Sequence, residues 1–391
     1  MENKKIAFLI NSLTAGGAER VLSIILAELE KTDIQIELIC LENNIFYKIP
    51  KNIKVTYLSD SDGNTNSIGK LLSMPLLAKK LKKHIKENNI DLVQSHIYRA
   101  NFINALSKQL GSSHEVQMVN AGQVSMYKSK GLLGKVNLFL VQKLYPLSNK
   151  VICKSKGMEY DLQTYFNGNL NTTIINNPYD LEKIKILTEE SINDFDFNED
   201  KKYLIYVGRF ASFKRPDYVI ESLKYLDENV ELILLGDGPK KETLIELSES
   251  LNLSNRVHFL GKVSNPYKYM KQSDVFILSS DDGEGFPNVL AEAMACQTSV
   301  IATDCKSGPR EILSPKSEVN KELVDDLELC ENGILVPKGK PKIIAKAINI
   351  ILEDSTFQKQ ITVQALNRVN DFSKNSIIEK YKDTLFNKVS K

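Results

Sequence analysis

The feature that most constrains this chain is an alternation along its length. Short apolar runs rich in β-branched residues are separated by stretches with helical spacing. Lys4–Ile10, Ile34–Leu41, Ile53–Leu58, Leu92–Ser95, Val116–Asn120 and Lys150–Cys153 read as strands of a first half. Tyr203–Gly208, Glu231–Gly236, Val257–Leu260, Val275–Ser279 and Ser299–Thr303 read as strands of a second. Arg20–Glu30 and Pro216–Leu226 are among the helical stretches between them. A strand that is apolar throughout is buried on both faces, so the pattern predicts parallel sheets covered by helices, an α/β architecture. At 391 residues the chain exceeds one ordinary core, and two Rossmann-like domains follow. We read 1–180 as the first and 202–372 as the second, with the polar, acidic, weakly periodic 181–201 as a linker. The final stretch, 373–391, has helical spacing at Ile377, Tyr381 and Phe386.

A hydrophobic content of 42% and a charged content of 26% are those of a soluble globular protein. No apolar run reaches the roughly 18–20 residues that span a bilayer. The apolar stretch Ile6–Ile10 is too short for a signal-peptide core, which leads us to expect a cytoplasmic protein. Five cysteines without CxxC spacing read as reduced thiols. The net charge of +2 conceals an asymmetry: Gly63–Met158 holds fifteen Lys and Arg against three acids. Leu71, Met74, Leu77, Leu81 and Ile85 share a helical face, with Lys79, Lys80, Lys82, Lys83 and Lys86 around it. Tyr127–Lys156 mixes Lys with Leu, Phe and Val. This region is either an ordinary domain surface with solvated lysines or a surface that docks on anionic lipid. Nucleic-acid binding is disfavoured, because aromatic interleaving is sparse and no RNA or DNA motif appears.

In open parallel sheets, ligands bind beyond the carboxyl ends of the strands. Five loops there carry suggestive residues. Thr14–Arg20 places Gly16 and Gly17 before a helix: either an ordinary turn, or a close backbone approach to an anion. Ser95–Asn101 carries His96, a structural histidine or a site residue at a strand end. Val207–Pro216 carries Arg209 and Lys214 beside a helix start, a pairing that suits a diphosphate unless both are merely solvated. Gly236–Pro239 is a turn signal first. Ser279–Glu292 sets Glu284 between Gly283 and Gly285, with Glu292 one helical turn beyond Pro287. Carboxylates there grip sugar and ribose hydroxyl pairs, or they are two solvated acids on a surface helix. Val289, Leu290, Ala293 and Met294 form that helix's expected core face. Asp60-Ser61-Asp62 matches a DxD metal motif but sits in a polar turn.

Together these loops resemble retaining family-4 glycosyltransferases of the GT-B fold. The matching pieces run in order over nearly the whole chain: GGAER (Gly16–Arg20), SH…RAN (Ser95–Asn101), VGRF…K (Val207–Lys214), GDGP, NPYKYM (Asn265–Met270), EGFPNVLAEAMA (Glu284–Ala295) and SGPREIL (Ser307–Leu313). NPYKYM and SGPREIL are similar to those of the bacterial subgroup that assembles glycans on polyprenyl diphosphate, including N-acetylgalactosaminyltransferases. The resemblance implies two parallel-sheet domains facing across a cleft, the first for the acceptor and the second for the donor. It also implies a C-terminal helix crossing back to the first domain. Arg209 and Lys214 would hold the donor diphosphate, Glu292 the ribose and Glu284 the donor sugar. Phe286, Pro287 and Asn288 would lie beside sugar and phosphate, and Val263 would meet the base. His96 would touch the donor sugar, and Gly16 and Gly17 the phosphates and acceptor.

Two departures stand out. Asn120-Ala121-Gly122 replaces a loop where many members carry His or Glu. Cys296-Gln297 stands where a Gly commonly ends the helix, so a left-handed cap would be strained or absent.

The implied reaction needs no metal or other cofactor, because cations and helix N–H groups stabilise a leaving diphosphate. The expected partners are a UDP-sugar, a polyprenyl diphosphate-linked glycan and the anionic inner face of the cytoplasmic membrane. A sugar-nucleotide epimerase and a non-catalytic sugar-nucleotide-binding protein are the rival readings.

Overall fold

The computed structural model describes residues 4–14, 16–64, 66–120 and 122–386. The chain forms two compact units, Met1–Pro178 with Lys374–Lys391, and Tyr179–Ser373.

In the first unit, seven described strands form one sheet: β1 (Lys5–Ile10), β2 (Gln35–Cys40), β3 (Lys54–Tyr57), β4 (Leu92–His96), β5 (Glu115–Val119), β6 (Lys150–Cys153) and β7 (Thr172–Ile174). Their order is β3-β2-β1-β4-β5-β6-β7, and every pairing is parallel. The apolar strands serve two cores at once. Ala7 and Leu9 of β1 enter the cluster on one face, while Ile6, Phe8 and Ile10 enter the cluster on the other. That double burial is the physical content of a run without polar alternation.

The second unit repeats the scheme with β8 (Lys202–Val207), β9 (Val230–Leu235), β10 (Val257–Gly261), β11 (Val275–Leu278), β12 (Ser299–Thr303), β13 (Glu328–Cys330) and β14 (Gly333–Val336). The order is β10-β9-β8-β11-β12-β14-β13, with only β13 antiparallel among the described strands. Ile205, Ile233 and Leu235 face one core; Leu204, Tyr206, Leu232 and Leu234 face the other. Strands β7, β13 and β14 have no counterpart in the sequence reading. All three are edge or near-edge strands of three or four residues, too short to register a period.

The last helix, Lys374–Phe386, belongs to the first unit, as the resemblance implies. It buries Ile377, Ile378, Tyr381 and Leu385 in the cluster that also holds Phe8, Leu22 and Ile25. The remainder of 373–391, from 387 onward, lies outside the described residues.

One expectation needs correcting. The stretch 181–201 is not a free linker. Leu181–Thr188 is a helix, and three side chains of the NPYKYM motif tie the following residues down. Asn265 Nδ2 donates to the Leu187 carbonyl at 2.7 Å, Lys268 Nζ to the Ser191 carbonyl at 2.7 Å, and the Tyr269 hydroxyl to Asp194. Phe195 and Phe197 then pack edge-on against Tyr203. Polar composition hid this attachment because its apolar anchors, Leu181, Ile184, Ile192, Phe195 and Phe197, are interspersed among charged residues without a sustained period.

The apolar stripe of the basic region is a core face. Met74, Leu77, Leu81 and Ile85 of the helix Met74–Asn88 are buried in the first unit's core, so the stripe is not a free surface. Different apolar residues are exposed: Ile68, Leu72 and Leu76, and on the helix Gly131–Leu144 also Leu132, Leu133 and Phe139. No described helix is long and apolar enough to cross a membrane. All five cysteines are buried and free, and burial pushes the thiols up, Cys40 and Cys296 to about 12.

Candidate functional site

The second unit gathers its predicted residues at the carboxyl edge of its sheet. After β8 the chain runs through Gly208–Arg215 into the helix Pro216–Ser222. This loop is locked against the one after β9. Phe210 N–H donates to the Asp237 carbonyl at 3.0 Å, and Lys240 N–H to the Phe210 carbonyl at 3.0 Å. A side chain at Gly236 (φ 150°) would put its Cβ 1.9 Å from the Gly208 carbonyl oxygen. The glycines of Gly236-Asp237-Gly238 are thus structural, as read from sequence.

The loop after β11 lies beside this frame. Asp281 N–H donates to the Phe213 carbonyl at 2.7 Å, and Ser279 Oγ to the Lys214 carbonyl at 3.1 Å. These bonds bring Lys214 Nζ to 2.5 Å from Glu284 Oε1. Ser280 Oγ donates to the same carboxylate oxygen at 2.6 Å. Glu284 is only 6% exposed and Glu292 only 4%, which rules out two solvated surface acids. Glu292 sits on the helix Asn288–Ala295 among buried Leu290, Ala291, Ala293 and Met294, so the helix is buried more evenly than one face predicts, while Val289 is only half-buried. Arg209, by contrast, is exposed. A short, buried, charge-assisted pair can hold a lysine in a fixed place without spending its charge on bulk water.

The other predicted neighbours are engaged in holding the loop. The Phe286 ring meets Phe372 edge-on at 5.1 Å, and Asn288 Oδ1 accepts from the Tyr179 hydroxyl at 2.8 Å. Ser307 Oγ donates to the Gly285 carbonyl at 2.7 Å, and a Cβ at Gly308 would lie 2.5 Å from Pro287 Cδ. Val263 packs half-buried against the core, with Lys262 beside it 3.9 Å from Asp237. The Phe286 ring and the Asn288 amide oxygen are therefore directed at protein partners. The SGPREIL motif supports this loop from behind. Buried Arg310 clamps Asp304 at 2.6 Å and Glu328 at 3.1 Å.

Sequence reasoning missed two features here. Arg215, in the left-handed conformation at φ 49°, grips Asp217 at 2.5 Å and Asp281 at 3.1 Å. The Lys214–Glu284–Ser280 contact was also missed, because the two motifs were read as separate ligands' partners. A basic loop and an acidic loop at the ends of adjacent strands were the available signal.

In the first unit, Gly16 precedes the helix Gly17–Leu29, and Glu19 folds back over it, within 2.2 Å of where a Gly16 Cβ would stand. Burial raises the Glu19 carboxyl above its ordinary range, against backbone and Thr14 hydrogen bonds. The helix start at Gly16 and Gly17 thus has its own carboxylate beside it. His96 ends β4, buried; burial, with Lys154 nearby, holds its imidazole well below the ordinary range. His96 is neutral at physiological pH. In the same motif Arg99 pairs with Glu42, and Asn101 donates to the Val119 carbonyl at 3.0 Å. Of the first departure, Ala121 lies outside the described residues, and Asn120 is fully buried. Asp62 of the DxD match accepts from the Asn64 N–H at 3.0 Å, as a polar turn does.

Two parallel-sheet units of this order, each with its polar residues at the carboxyl edge, define the GT-B class of two-domain α/β proteins. Residues 188–368 match the family model described as glycosyl transferases group 1, and residues 15–183 that of glycosyltransferase family 4. The chain belongs to this glycosyltransferase family and is a glycosyltransferase. It is 32% identical over 375 residues to a Campylobacter jejuni N-acetylgalactosamine-N,N'-diacetylbacillosaminyl-diphospho-undecaprenol 4-alpha-N-acetylgalactosaminyltransferase, covering 95% of this chain and 96% of that one. A second Campylobacter jejuni protein, an alpha-1,4-N-acetyl-D-galactosaminyltransferase named for a diNAcBac-PP-undecaprenol-linked substrate, is 24% identical across 96% of this chain and 97% of its own. Among solved structures, Anabaena HepE in complex with UDP superposes with a TM-score of 0.76 at 20% identity, over 97% of this chain and 99% of that one. Sucrose-phosphate synthase from Thermosynechococcus elongatus gives 0.79 at 17% identity, over 97% and 98%. At such identities these structures speak for the fold.

Proposed function

We propose that this enzyme transfers a hexose or N-acetylhexosamine, N-acetylgalactosamine as the best guess, from a UDP-sugar to a polyprenyl diphosphate-linked glycan, with retention at the anomeric carbon. The observation that carries the donor side is the buried Lys214–Glu284 pair at the end of β8 and β11. A departing nucleoside diphosphate gathers charge as the glycosidic bond breaks, and a preorganised cation stabilises it there without protonation. Lys214 and Arg209 supply that charge. Glu284, oriented by Ser280 and Lys214, accepts hydroxyls of the donor sugar, and Glu292 accepts those of the ribose. No metal is required in this reading. The acceptor class rests on the names of three Campylobacter jejuni relatives, all of which name an undecaprenol-diphosphate-linked sugar.

The enzyme docks peripherally on the inner face of the cytoplasmic membrane in this reading. Leu132, Leu133 and Phe139 are exposed on a helix that also carries Lys135 and Lys143, with Lys130 at its start. Apolar side chains ringed by lysines suit an anionic lipid surface.

The test is direct. The enzyme is incubated with UDP-, GDP- or dTDP-sugars, with and without an undecaprenyl diphosphate-linked glycan. Sugar transfer from a UDP-sugar, with an α-anomer formed from an α-donor, is expected. An epimerised sugar nucleotide formed from donor alone, or transfer from none of the donors, would sink the proposal. Co-sedimentation with anionic liposomes at low salt, lost in a Leu132→Ser, Phe139→Ser double variant, tests the docking face. No binding by the wild type rejects it.

A further inference from the structure

Arg215 stands in a backbone conformation that its own chemistry opposes. It sits at φ 49° and ψ 46°, in the left-handed region, directly before Pro216. A proline pushes the residue before it towards an extended backbone, and a Cβ penalises the left-handed region. Glycine would take this place without that second penalty. Strain of this kind persists only where the surroundings over-determine it, and it gathers at functional sites.

The partners of the Arg215 side chain supply those surroundings. Nε and Nη2 hold the Asp217 carboxylate at 3.0 and 2.5 Å, and Nη1 reaches Asp281 Oδ2 at 3.1 Å. The guanidinium lies over the Tyr218 ring, 3.6 Å from its centre. Asp217 and Tyr218 belong to the helix that Arg215 itself starts, but Asp281 belongs to the loop after β11. One planar cation therefore joins the two loops that carry Lys214 and Glu284. Lys214 is its neighbour in the first loop, and Glu284 follows Asp281 by one turn of chain in the second. Two bonds flank the bridge, from Asp281 N–H to the Phe213 carbonyl at 2.7 Å and from Ser279 Oγ to the Lys214 carbonyl at 3.1 Å. A lysine is a charge on a flexible stem, so its 2.5 Å contact with Glu284 depends on where its backbone is held. We propose that Arg215 is a positioning residue: by bridging the loops after β8 and β11 it sets Lys214 on Glu284. The left-handed strain is kept because glycine there would leave the bridge unmade.

The inference rests on the donor reading for what Lys214 does in turnover, so its test has one arm that needs no substrate. In the full chain, Arg215→Gly removes the bridge while suiting the backbone. Hydrogen exchange is read at the Asp281 amide and across 219–222 in the following helix. The Asp281 amide should exchange at least about tenfold faster, with 219–222 unchanged within about twofold. In the second arm, turnover at saturating donor should fall by about tenfold. Added to Lys214→Ala, the same substitution should cost less than about threefold more, because two residues that act through one group are not additive. Asp281→Asn weakens the bridge from the other loop and should move both readouts in the same direction; it carries the comparison should Arg215→Gly fail to fold. An unchanged Asp281 amide would overturn the proposal. So would exchange across 219–222 rising in step with it, which would make Arg215 a helix cap only, or an equal loss of turnover with and without Lys214. Near-normal turnover of Lys214→Ala alone would count against the donor role of that lysine, and the exchange rates would then decide the bridge by themselves.

Discussion

The carboxyl edges of the two sheets differ in how much of their polarity is paired within the protein. On the second sheet the charges are paired: buried Glu284 with half-buried Lys214, half-buried Arg215 with Asp217 and Asp281, and buried Arg310 with Asp304 and Glu328. On the first sheet Glu42 is paired with Arg99, but among the described residues Lys154 has no carboxylate and Asn11, His96 and Asn120 keep unpaired atoms. A paired edge is set before any ligand arrives, which suits charge developing on a leaving group. An unpaired edge completes its hydrogen bonds only with a ligand. The difference gives each unit its own mode of failure.

The largest expected effect breaks the paired edge from behind. Arg310→Met strands Asp304, 3% exposed, without its guanidinium. Removing one partner of such a buried pair destabilises by about 3–5 kcal/mol. Urea unfolding followed by circular dichroism should show that loss. A midpoint within error of the wild type would mean that the paired edge is not what holds this unit's loops.

Lys214→Ala comes next. It leaves Glu284 with Ser280 but without its cation, and turnover at saturating donor should fall by about a hundredfold, the scale for losing one charge-stabilising group. The substitution also strands the buried Glu284 carboxylate, so the melting temperature should fall as well, and turnover is compared at a temperature where both proteins are folded. Near-normal turnover would make the pair a structural tie and remove the main contrast between the two edges.

The unpaired edge is exposed by pH. Burial depresses Lys154 from its ordinary 10.5 to about 7. Between those values the unfolded chain binds the proton that the folded chain has shed. This group therefore makes stability rise as pH increases from 7 towards 10, and contributes no further slope below 7. Lys154→Met should flatten that rise when urea midpoints at pH 7 and pH 9 are compared with those of the wild type. Identical slopes for the two proteins would show that the amine is solvated or paired in solution.

How much of this was legible in the sequence depends on how each feature is encoded. The double-sheet fold was, because Ile6–Ile10 and Tyr203–Tyr206 are apolar without interruption and only a strand covered on both faces tolerates that. That Lys214 and Glu284 lie in loops after neighbouring strands was legible from the positions of those strands; that the two side chains meet was not. The attachment of 181–201 was not. It depends on Asn265, Lys268 and Tyr269, three side chains some eighty residues away, and no local period records such contacts. Lys154 was counted among the charges of a basic region; its burial became visible only when Tyr381, more than two hundred positions later, came to rest on it.

One departure from the family pattern was read correctly at the backbone level. Gln297 follows the helix Asn288–Ala295 at φ 60°, the left-handed cap that a glycine would occupy without strain. The cap is closed by Gln297 N–H to the Met294 carbonyl at 3.1 Å and Thr298 N–H to the Ala293 carbonyl at 3.1 Å. The glutamine side chain is exposed, so replacing it removes little packing. A non-glycine residue in this conformation costs about 1–2 kcal/mol. Glycine's greater freedom in the unfolded chain offsets roughly half of that. Gln297→Gly should therefore stabilise the protein by about 0.5–1 kcal/mol, read as a raised urea midpoint with an unchanged slope. Because Glu292 stands on this helix and its edge is already set by paired charges, donor affinity should stay as it was. A gain in stability that came with altered donor affinity would show that the paired edge still moves on binding, and the contrast between the two sheets would have to be redrawn.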